Sequence, residues 1–530
     1  MKSFNTEGIC NPQKHYMVDI SDKLLQIKSM IDAGKYFTIN RARQYGKTTT
    51  ITALKKFIAN DYTVISLDFQ KISAGDFSNE KNFVLTFSKL ILSRKAVGLH
   101  IPDDIDKMLI DISSREDNQA NLYELFDVLT KWCELFPNKL VLIIDEVDSA
   151  TNNQVFLDFL AQLRDNYIRR DSDGLPAFQS VVLAGVTDVK HLKSKIRDED
   201  QHKINSPWNI AADFDVDMSL SQQGITEMLS EYETDNKTGM DCNIIADSIY
   251  AYTSGYPYLV SRLCFIIDTK LVPNKFTSKS EAWTSQGIDE AVKIILQEKN
   301  TLFESLSGKL TNYPDMKSAL KRILMEGEKL TYNPDQEEIS SLESYGFIKN
   351  KNNTVAIANR LFETRLYNLF LSEDELSDNT FYREGSIAKN LFIKNGKLNV
   401  ELILDHFIQT YTQIFGELKD HFKEKDGREL FLLYIKPIIN GTGNYYIEAQ
   451  TRDQKRTDVI IDYLGEQYII ELKIWHGERY NSKGEQQLLD YLNYFGLDKG
   501  YLLSFNFNEH KETGVKEVKL QEKTLIEATV

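Results

Sequence analysis

The sequence predicts an α/β protein, with a parallel sheet covered by helices on both faces leading the chain and a second, smaller α/β domain closing it. Three observations carry that expectation. Apolar runs without alternation, "TVISLDF" (63–69), "KLVLIIDEVD" (139–148) and "SVVLAGV" (180–186), are separated by helical stretches, the pattern of strands buried on both faces. The stretch "INRARQYGKTTT" (39–50) ends in Gly-Lys-Thr between a short strand and a helix start. From about residue 420 the pattern reads helix, three strands, helix and strand.

The bulk composition narrows the classes. A chain of 530 residues has room for roughly three or four domains, and 42% hydrophobic content supports real cores. A net charge of −15 argues against a protein that coats nucleic acid or anionic lipid, while leaving room for a local basic channel. Cys10, Cys133, Cys242 and Cys264 lie far apart, with no paired spacing for zinc or a disulfide framework, which suits a reducing cytoplasm. The opening "MKSFNTEGICNPQKHY" has no apolar core of signal-peptide length, and no run reaches the about eighteen apolar residues of a membrane span. The expectation is a cytoplasmic protein without a membrane partner.

In order along the chain, "YFTIN" (36–40) is a strand, and the helix after the Gly-Lys-Thr places Ile51, Leu54 and Ile58 on one stripe. The segment "NLYELFDVLTKWCELF" (121–136) is an amphipathic helix, and "NQVFLDFLAQLRDNYIRR" is another that follows the acidic strand end. Residues 222–300 read as helices broken by "TSGYPY" (253–258). Further helices run to "GFIKNKNNTVAIA", a hairpin with an Asn-Asn turn, so that 316–370 has the outline of a winged helix. The polar "LSEDELSDNTFYREGS" (371–386) is the best candidate for a linker.

A phosphate-binding loop needs backbone N–H groups aimed at one point from a helix N-terminus. Gly46 lets the backbone close in, Lys47 supplies a charge for the β- and γ-phosphates, and Thr48 offers its hydroxyl to Mg²⁺. Arg41 stands where the usual G-x-x-x-x-G-K-[ST] pattern has its first glycine. Asp145 and Glu146 follow five apolar residues at the carboxyl end of a strand, where ligands of open parallel sheets bind. Asp145 would hold Mg²⁺ and Glu146 would polarise the attacking water.

These elements, with "VVLAGVTDV", "SPWNIA" and "TSGYPYLVSRLC", resemble the bacterial AAA-like and archaeal-type P-loop ATPases, relatives of the AAA+ and STAND groups, over roughly residues 1–370. In those relatives the first loop glycine is commonly replaced, so Arg41 fits the family. The resemblance implies ATP and Mg²⁺ as cofactors. Its nucleotide contacts would be Arg41, Arg43, Gln44, Tyr45, Gly46, Lys47, Thr48, Thr49 and Asp145, with Thr187 and Arg262 as sensors. Arg164, Arg169 and Arg170 are candidates for an arginine finger, against the plainer reading of a solvated helix face.

The closing domain carries a second constellation. "RTDVIIDY" holds Asp458 and "YIIELK" holds Glu471 and Lys473, which share one strand face. If the two strands form a hairpin through Gly465–Glu466, Asp458 sits beside them, and two carboxylates make an oxygen site for Mg²⁺. Such a site with a lysine suits metal-assisted phosphodiester hydrolysis. Glu429 on the preceding helix is a third carboxylate, and Gln487 and Tyr491 fall four apart on one face of the following helix. Glu448 and Asp462 are rival carboxylates whose strand positions lack a lysine. This order resembles the PD-(D/E)xK nuclease superfamily, including its Q-x-x-x-Y branch, over about residues 420–510.

The expected plan is therefore a P-loop ATPase core (1–225), a helical lid (226–300), a winged-helix-like region (301–370), a helical linker (371–419) and a PD-(D/E)xK nuclease-like domain (420–530). The resemblances imply an ATPase coupled to a Mg²⁺-dependent DNA endonuclease suited to defence against foreign DNA, with homo-oligomerisation open. The alternative is a STAND-like switch whose last domain binds nucleic acid or protein without cutting.

Overall fold

Four strands, β1 (Phe37–Asn40), β2 (Thr63–Asp68), β3 (Leu140–Asp145) and β4 (Ser180–Gly185), form a parallel sheet in the order β1-β4-β3-β2. The computed structural model describes residues 2–530 apart from 116–118, 136–138, 187–188, 190–206, 325–327, 371, 373–378, 395–396, 416–423, 440–442, 451–455, 464–465, 476–477 and 509–510. Along 424–425, 443–450, 456–458, 478–483 and at Tyr494 it describes the backbone alone.

Every residue of β3 and β4 is buried, as the unbroken apolar runs predict. The alternation of side chains then divides the strand between two cores. Leu140, Leu142 and Ile144 join Ile65, Leu67, Phe83, Phe87 and Phe159 on one face. Val141 and Ile143 join Phe37, Ile39, Ile51, Leu54 and Ile58 on the other. Each such aliphatic side chain contributes about 1.5–3 kcal/mol on burial, so β3 is anchored from both sides. The strand lying between the phosphate-loop strand and the acidic strand is β4, while β2, which separates them in sequence, is at the far edge.

The chain divides into two compact units. One comprises Met1–Asn236, Gly255–Arg262 and Glu343–Gly346, and the other Lys237–Ser254, Leu263–Leu342 and Phe347–Val530. These bounds cut across the five expected segments.

In the second unit, β5 (Ile348–Lys351) and β6 (Thr354–Ile357) form the expected hairpin. Its two turn residues, Asn352 and Asn353, have φ of 51° and 62°, the left-handed pair that a two-residue hairpin turn requires and that asparagine tolerates. β7 (Ile393–Lys394) and β8 (Lys397–Leu398) form a second, short antiparallel pair. The C-terminal strands are β9 (Gly443–Gln450), β10 (Arg456–Tyr463), β11 (Glu466–Ile474), β12 (Lys499–Phe505), β13 (Gly514–Leu520) and β14 (Lys523–Thr529), which form a six-stranded sheet in the order β13-β14-β12-β11-β10-β9. The mixed-charge stretch after residue 511 supplies β13, a partly solvated edge strand.

The segment expected to be a linker is instead part of this domain's core. Helices Thr380–Phe392 and Val400–Phe415 join helix Glu424–Ile439 around Phe407, whose ring lies 5.3 Å from Phe431, 5.6 Å from Phe381 and 6.4 Å from Phe505. Gly385 is required at one crossing: a Cβ there would stand 2.1 Å from the Tyr434 carbonyl oxygen.

Arg170, one of the arginine-finger candidates, is a fastener of the first unit. Its guanidinium donates to the carbonyls of Gly34 (3.0 Å), Phe178 (3.1 Å) and Gln179 (3.1 Å) and lies over the Tyr167 ring at 4.8 Å. Arg169, by contrast, is exposed and bridges Asp165 and Asp173 on its own helix, and Arg164 is exposed. Replacing Arg170 with alanine removes its hydrogen bonds to three carbonyls, of which Phe178 keeps the Tyr36 hydroxyl, and is expected to cost about 2–3 kcal/mol. Thermal melting of the variant should fall by several degrees, and an unchanged melting point would contradict this role.

Candidate functional site

The phosphate loop leaves β1 at Asn40 and enters helix Lys47–Ile58 through two left-handed residues, Gln44 (φ 57°) and Gly46 (φ 82°). Lys47 is only 6% exposed. Its ammonium curls back and donates to the carbonyls of Arg41 (2.8 Å) and Ala42 (3.0 Å), so the loop is closed on its own lysine. Burial lowers the pKa of this ammonium, and Glu146, Asp148 and Asp145 oppose that shift by their charge.

Asp145, 7% exposed, ends β3 beside the helix start. Burial raises its pKa, while the Glu146 N–H (3.0 Å), the Thr48 hydroxyl and Lys47 counteract the rise. Glu146 takes a left-handed φ of 56°, a costly conformation for a residue with a side chain and one that clusters at functional sites. It is half-buried, and that burial raises its pKa against the pull of Lys47. The structure thus brings together Lys47, Thr48, Asp145 and Glu146.

Arg41 is directed elsewhere. Its guanidinium donates to the carbonyls of Asn40 (2.9 Å), Val216 (2.9 Å) and Phe214 (3.3 Å) and lies 5.2 Å from the Phe214 ring centroid. The side chain in the place of the missing glycine ties the loop to residues 214–216, a different task from the phosphate contact expected of it. Arg43 and Gln44 are exposed at the loop tip, and Tyr45 meets Tyr256 edge-on at 4.7 Å. The hydroxyl of Thr49 accepts from the Cys10 N–H at 3.3 Å. Thr187 lies outside the described residues, and Arg262 is half-buried within helix Pro257–Thr269.

Several contacts were not foreseen. Asp148 accepts from the Val186 N–H at 2.8 Å, linking the acidic turn to the segment that leads to Thr187. Gly185 makes room for it, since a Cβ there would lie 3.1 Å from both Asp148 carboxylate oxygens. The Tyr256 hydroxyl donates to the Arg43 carbonyl. Gly346, with φ of 76°, approaches so closely that a Cβ would stand 2.6 Å from that of Ala42. Only the third acid of "DEVD" carried a visible signal for any of these.

In the C-terminal domain, β10 and β11 are antiparallel with Val459 opposite Ile470 and Tyr463 opposite Glu466. One rung further, this register sets Asp458 opposite Glu471 on the same sheet face. The Asp458 side chain lies outside the described residues. Glu471 is 0% exposed, and the Lys473 ammonium is 2.9 Å from its Oε1. Helix Glu478–Phe495 covers that face: a Cβ on Gly484 would meet Lys473 Cγ at 3.4 Å. On this helix the Gln487 amide donates to the Tyr491 hydroxyl at 2.9 Å.

Glu429 is half-buried on helix Glu424–Ile439. Gly427 of that helix abuts the Phe505 ring. Phe505 is paired with Ile474 and so points to the face opposite Glu471 and Lys473, which puts Glu429 on the other layer. Glu448 sits on β9, described there as backbone only. Asp462 is fully buried and has a cationic neighbour after all, Lys293 at 4.0 Å, supplied from far away in sequence.

Residues 13–368, more than half of the chain, match the family model described as AAA-like domain. The chain belongs to the AAA-like domain family. Beyond that ATPase-like part, residues 443–518 match the PD-(D/E)XK nuclease superfamily. No curated protein matches the chain. Among solved structures, the AAA-like chain is similar to the Walker-type ATPase PABY2304 of Pyrococcus abyssi, at 14% identity and a TM-score of 0.46 over 69% of this chain and 99% of that one. It is also similar to the Aeropyrum pernix ORC2 protein, at 12% identity and a TM-score of 0.38 over 70% and 98%. A third is the Thermotoga maritima RuvB Holliday junction branch migration motor, at 11% identity and a TM-score of 0.30 over 64% and 92%.

The two arginine and aspartate contacts at the loop make a paired expectation. Arg41→Met should lower the melting temperature while leaving ATP affinity within about threefold, because its partners are carbonyls of the fold. Asp148→Ala should lower ATP turnover by about tenfold or more with a smaller change in affinity, because it positions the segment before Thr187. Binding titration and steady-state kinetics check both, and a large loss of affinity in Arg41→Met would reverse the first assignment.

Proposed function

We propose that this AAA-like protein binds and hydrolyses ATP at the phosphate loop and uses it to license Mg²⁺-dependent cleavage of DNA by the C-terminal domain. The observation that carries the reading is the pairing, in one chain, of Lys47 held among Asp145, Glu146 and Asp148 with a fully buried Glu471 salt-bridged to Lys473 at 2.9 Å.

The residues present fit the ions the reading needs. Thr48 and Asp145 are hydrogen-bonded hard-oxygen donors at the helix start and would hold Mg²⁺ with the nucleotide. Asp458 and Glu471, opposite each other when the register is extended by one rung, are the matching pair for the second site. Bound there, Mg²⁺ would supply charge neutralisation for the phosphodiester and acidify a bound water.

The chain's own residues do the rest. Lys47 exchanges its two loop carbonyls for the β- and γ-phosphates, which frees the loop to close around the nucleotide. Glu146 orients the attacking water and takes its proton as charge develops on phosphate. Lys473, held against Glu471, presents a cation to the scissile phosphate, and Gln487 with Tyr491 steadies the helix above it. The helices and hairpin of 301–370 make a winged-helix-like module. Its helix Glu337–Ser344 carries Glu337, Glu338 and Glu343 and no basic residue, so it repels phosphate and any hold on DNA falls to other surfaces.

ATP-gated cutting suits defence against foreign DNA. The four free cysteines suit the cytoplasm, and among the described residues no helix is long and apolar enough to cross a membrane.

Supercoiled plasmid with Mg²⁺ is the test. Glu471→Ala and Lys473→Ala should each slow nicking by about a hundredfold or more, with ATP hydrolysis retained. Lys47→Ala should lose ATP binding. If nicking is unchanged in both C-terminal variants, the last domain binds without cutting. If Lys47→Ala binds ATP normally, the loop assignment fails.

A further inference from the structure

Asp462 sits near the tip of the β10–β11 hairpin, where Asp462 pairs with Gln467 and Tyr463 with Glu466. A carboxylate at such a hairpin end is ordinarily solvated. Here it is 0% exposed, among charged and polar groups from three helices of the same unit. Lys293, on helix Ser285–Gln297, is 4.0 Å away and also pairs with Glu290 at 3.0 Å. Asp289, one turn earlier on that helix, faces Asp462 and accepts from the Tyr252 hydroxyl at 3.0 Å. Arg360 completes the ring of charges, lying over the Tyr252 ring at 5.0 Å.

Two carboxylates and one shared lysine in a buried setting make a contact with opposing terms. Lys293 attracts both acids, the acids repel each other, and Asp462 has given up water entirely while Asp289 and Lys293 have done so in part. Removing one partner of such a group leaves an uncompensated buried charge and is strongly destabilising, whereas removing the repulsion is not. A contact of this kind specifies one docked arrangement and releases it when its balance is disturbed.

We propose that Asp462 is a latch, holding the β10–β11 hairpin of the nuclease-like sheet against helix Ser285–Gln297 so that the nuclease-like domain is restrained until that helical region shifts. The restraint on cutting rests on the function proposed above, whereas the latch itself does not. Asp458 and Glu471 share this hairpin with Asp462, so a change at the latch reaches the strands of the candidate metal site directly.

A titration supports the geometry. Burial and the charge of Asp462 push the Asp289 carboxyl up to about 6, against the Tyr252 hydrogen bond, Lys293 and Arg360. The docked state therefore favours the protonated acid relative to an undocked, ordinary carboxyl. Docking is strongest at low pH and weakens as pH rises through about 6.

Hydrogen exchange of the full chain tests this, read at residues 285–297 and 456–463. Lys293→Met should speed exchange in both segments by at least about tenfold. Asp289→Asn should slow it and abolish the increase seen in the wild type as pH rises from about 4 to about 6, after correction for intrinsic exchange. With plasmid and Mg²⁺, Lys293→Met should cut without ATP. Unchanged exchange in both variants overturns the latch. Faster exchange in Lys293→Met without cutting in any variant leaves the latch standing and removes the nuclease reading instead.

Discussion

The ATPase-like part of this molecule depends on one buried electrostatic arrangement: two carboxylates at the end of β3 facing a lysine that the phosphate loop keeps to itself. None of its members is stable alone. Asp145 and Glu146 carry raised pKa values from burial, and Lys47 a lowered one. Lys47 favours the charged form of both acids and they favour its own, whereas the charge of Asp145 pushes the Glu146 carboxyl further up. That geometry follows from β3 being fixed by cores on both faces, which leaves its carboxyl end as the place where the chain can afford a left-handed Glu146.

The same logic recurs in the C-terminal sheet with different partners. Glu471 is completely buried on β11 and balanced by Lys473 two residues on. Asp462 is equally buried on the neighbouring strand, yet its cation comes from Lys293, on a helix about 170 residues earlier. One acid is compensated within its strand, which suits a site that must persist. The other is compensated across elements, by a lysine of helix Ser285–Gln297.

Much of this was legible in the sequence, for identifiable reasons. Gly-Lys-Thr and the acidic pair are local patterns, and unbroken apolar strands announce a doubly covered sheet. The Asn-Asn turn announced its hairpin because asparagine tolerates the left-handed conformation the turn needs. What could not be read was set by tertiary contact. The partners of Arg41 and Arg170 are backbone carbonyls, which look alike in every sequence. The order of strands placed β4, not β2, beside the phosphate-loop strand. Residues 371–419 read as a linker because their polar start hides Phe381 and Phe407, and Phe407 meets its partners Phe431 and Phe505 only further on. Asp462 was discounted for lacking a lysine on its own strand, a criterion blind to Lys293.

The central claim is that one chain carries two oxygen-rich cation sites, one serving a nucleotide and one serving a phosphodiester. Anomalous diffraction from crystals grown with Mn²⁺ and a non-hydrolysable ATP analogue addresses it directly. The account predicts two peaks, one touching Thr48 and Asp145 beside the nucleotide and one bounded by Asp458 and Glu471. A fully occupied nucleotide site with no peak at Glu471 would contradict it.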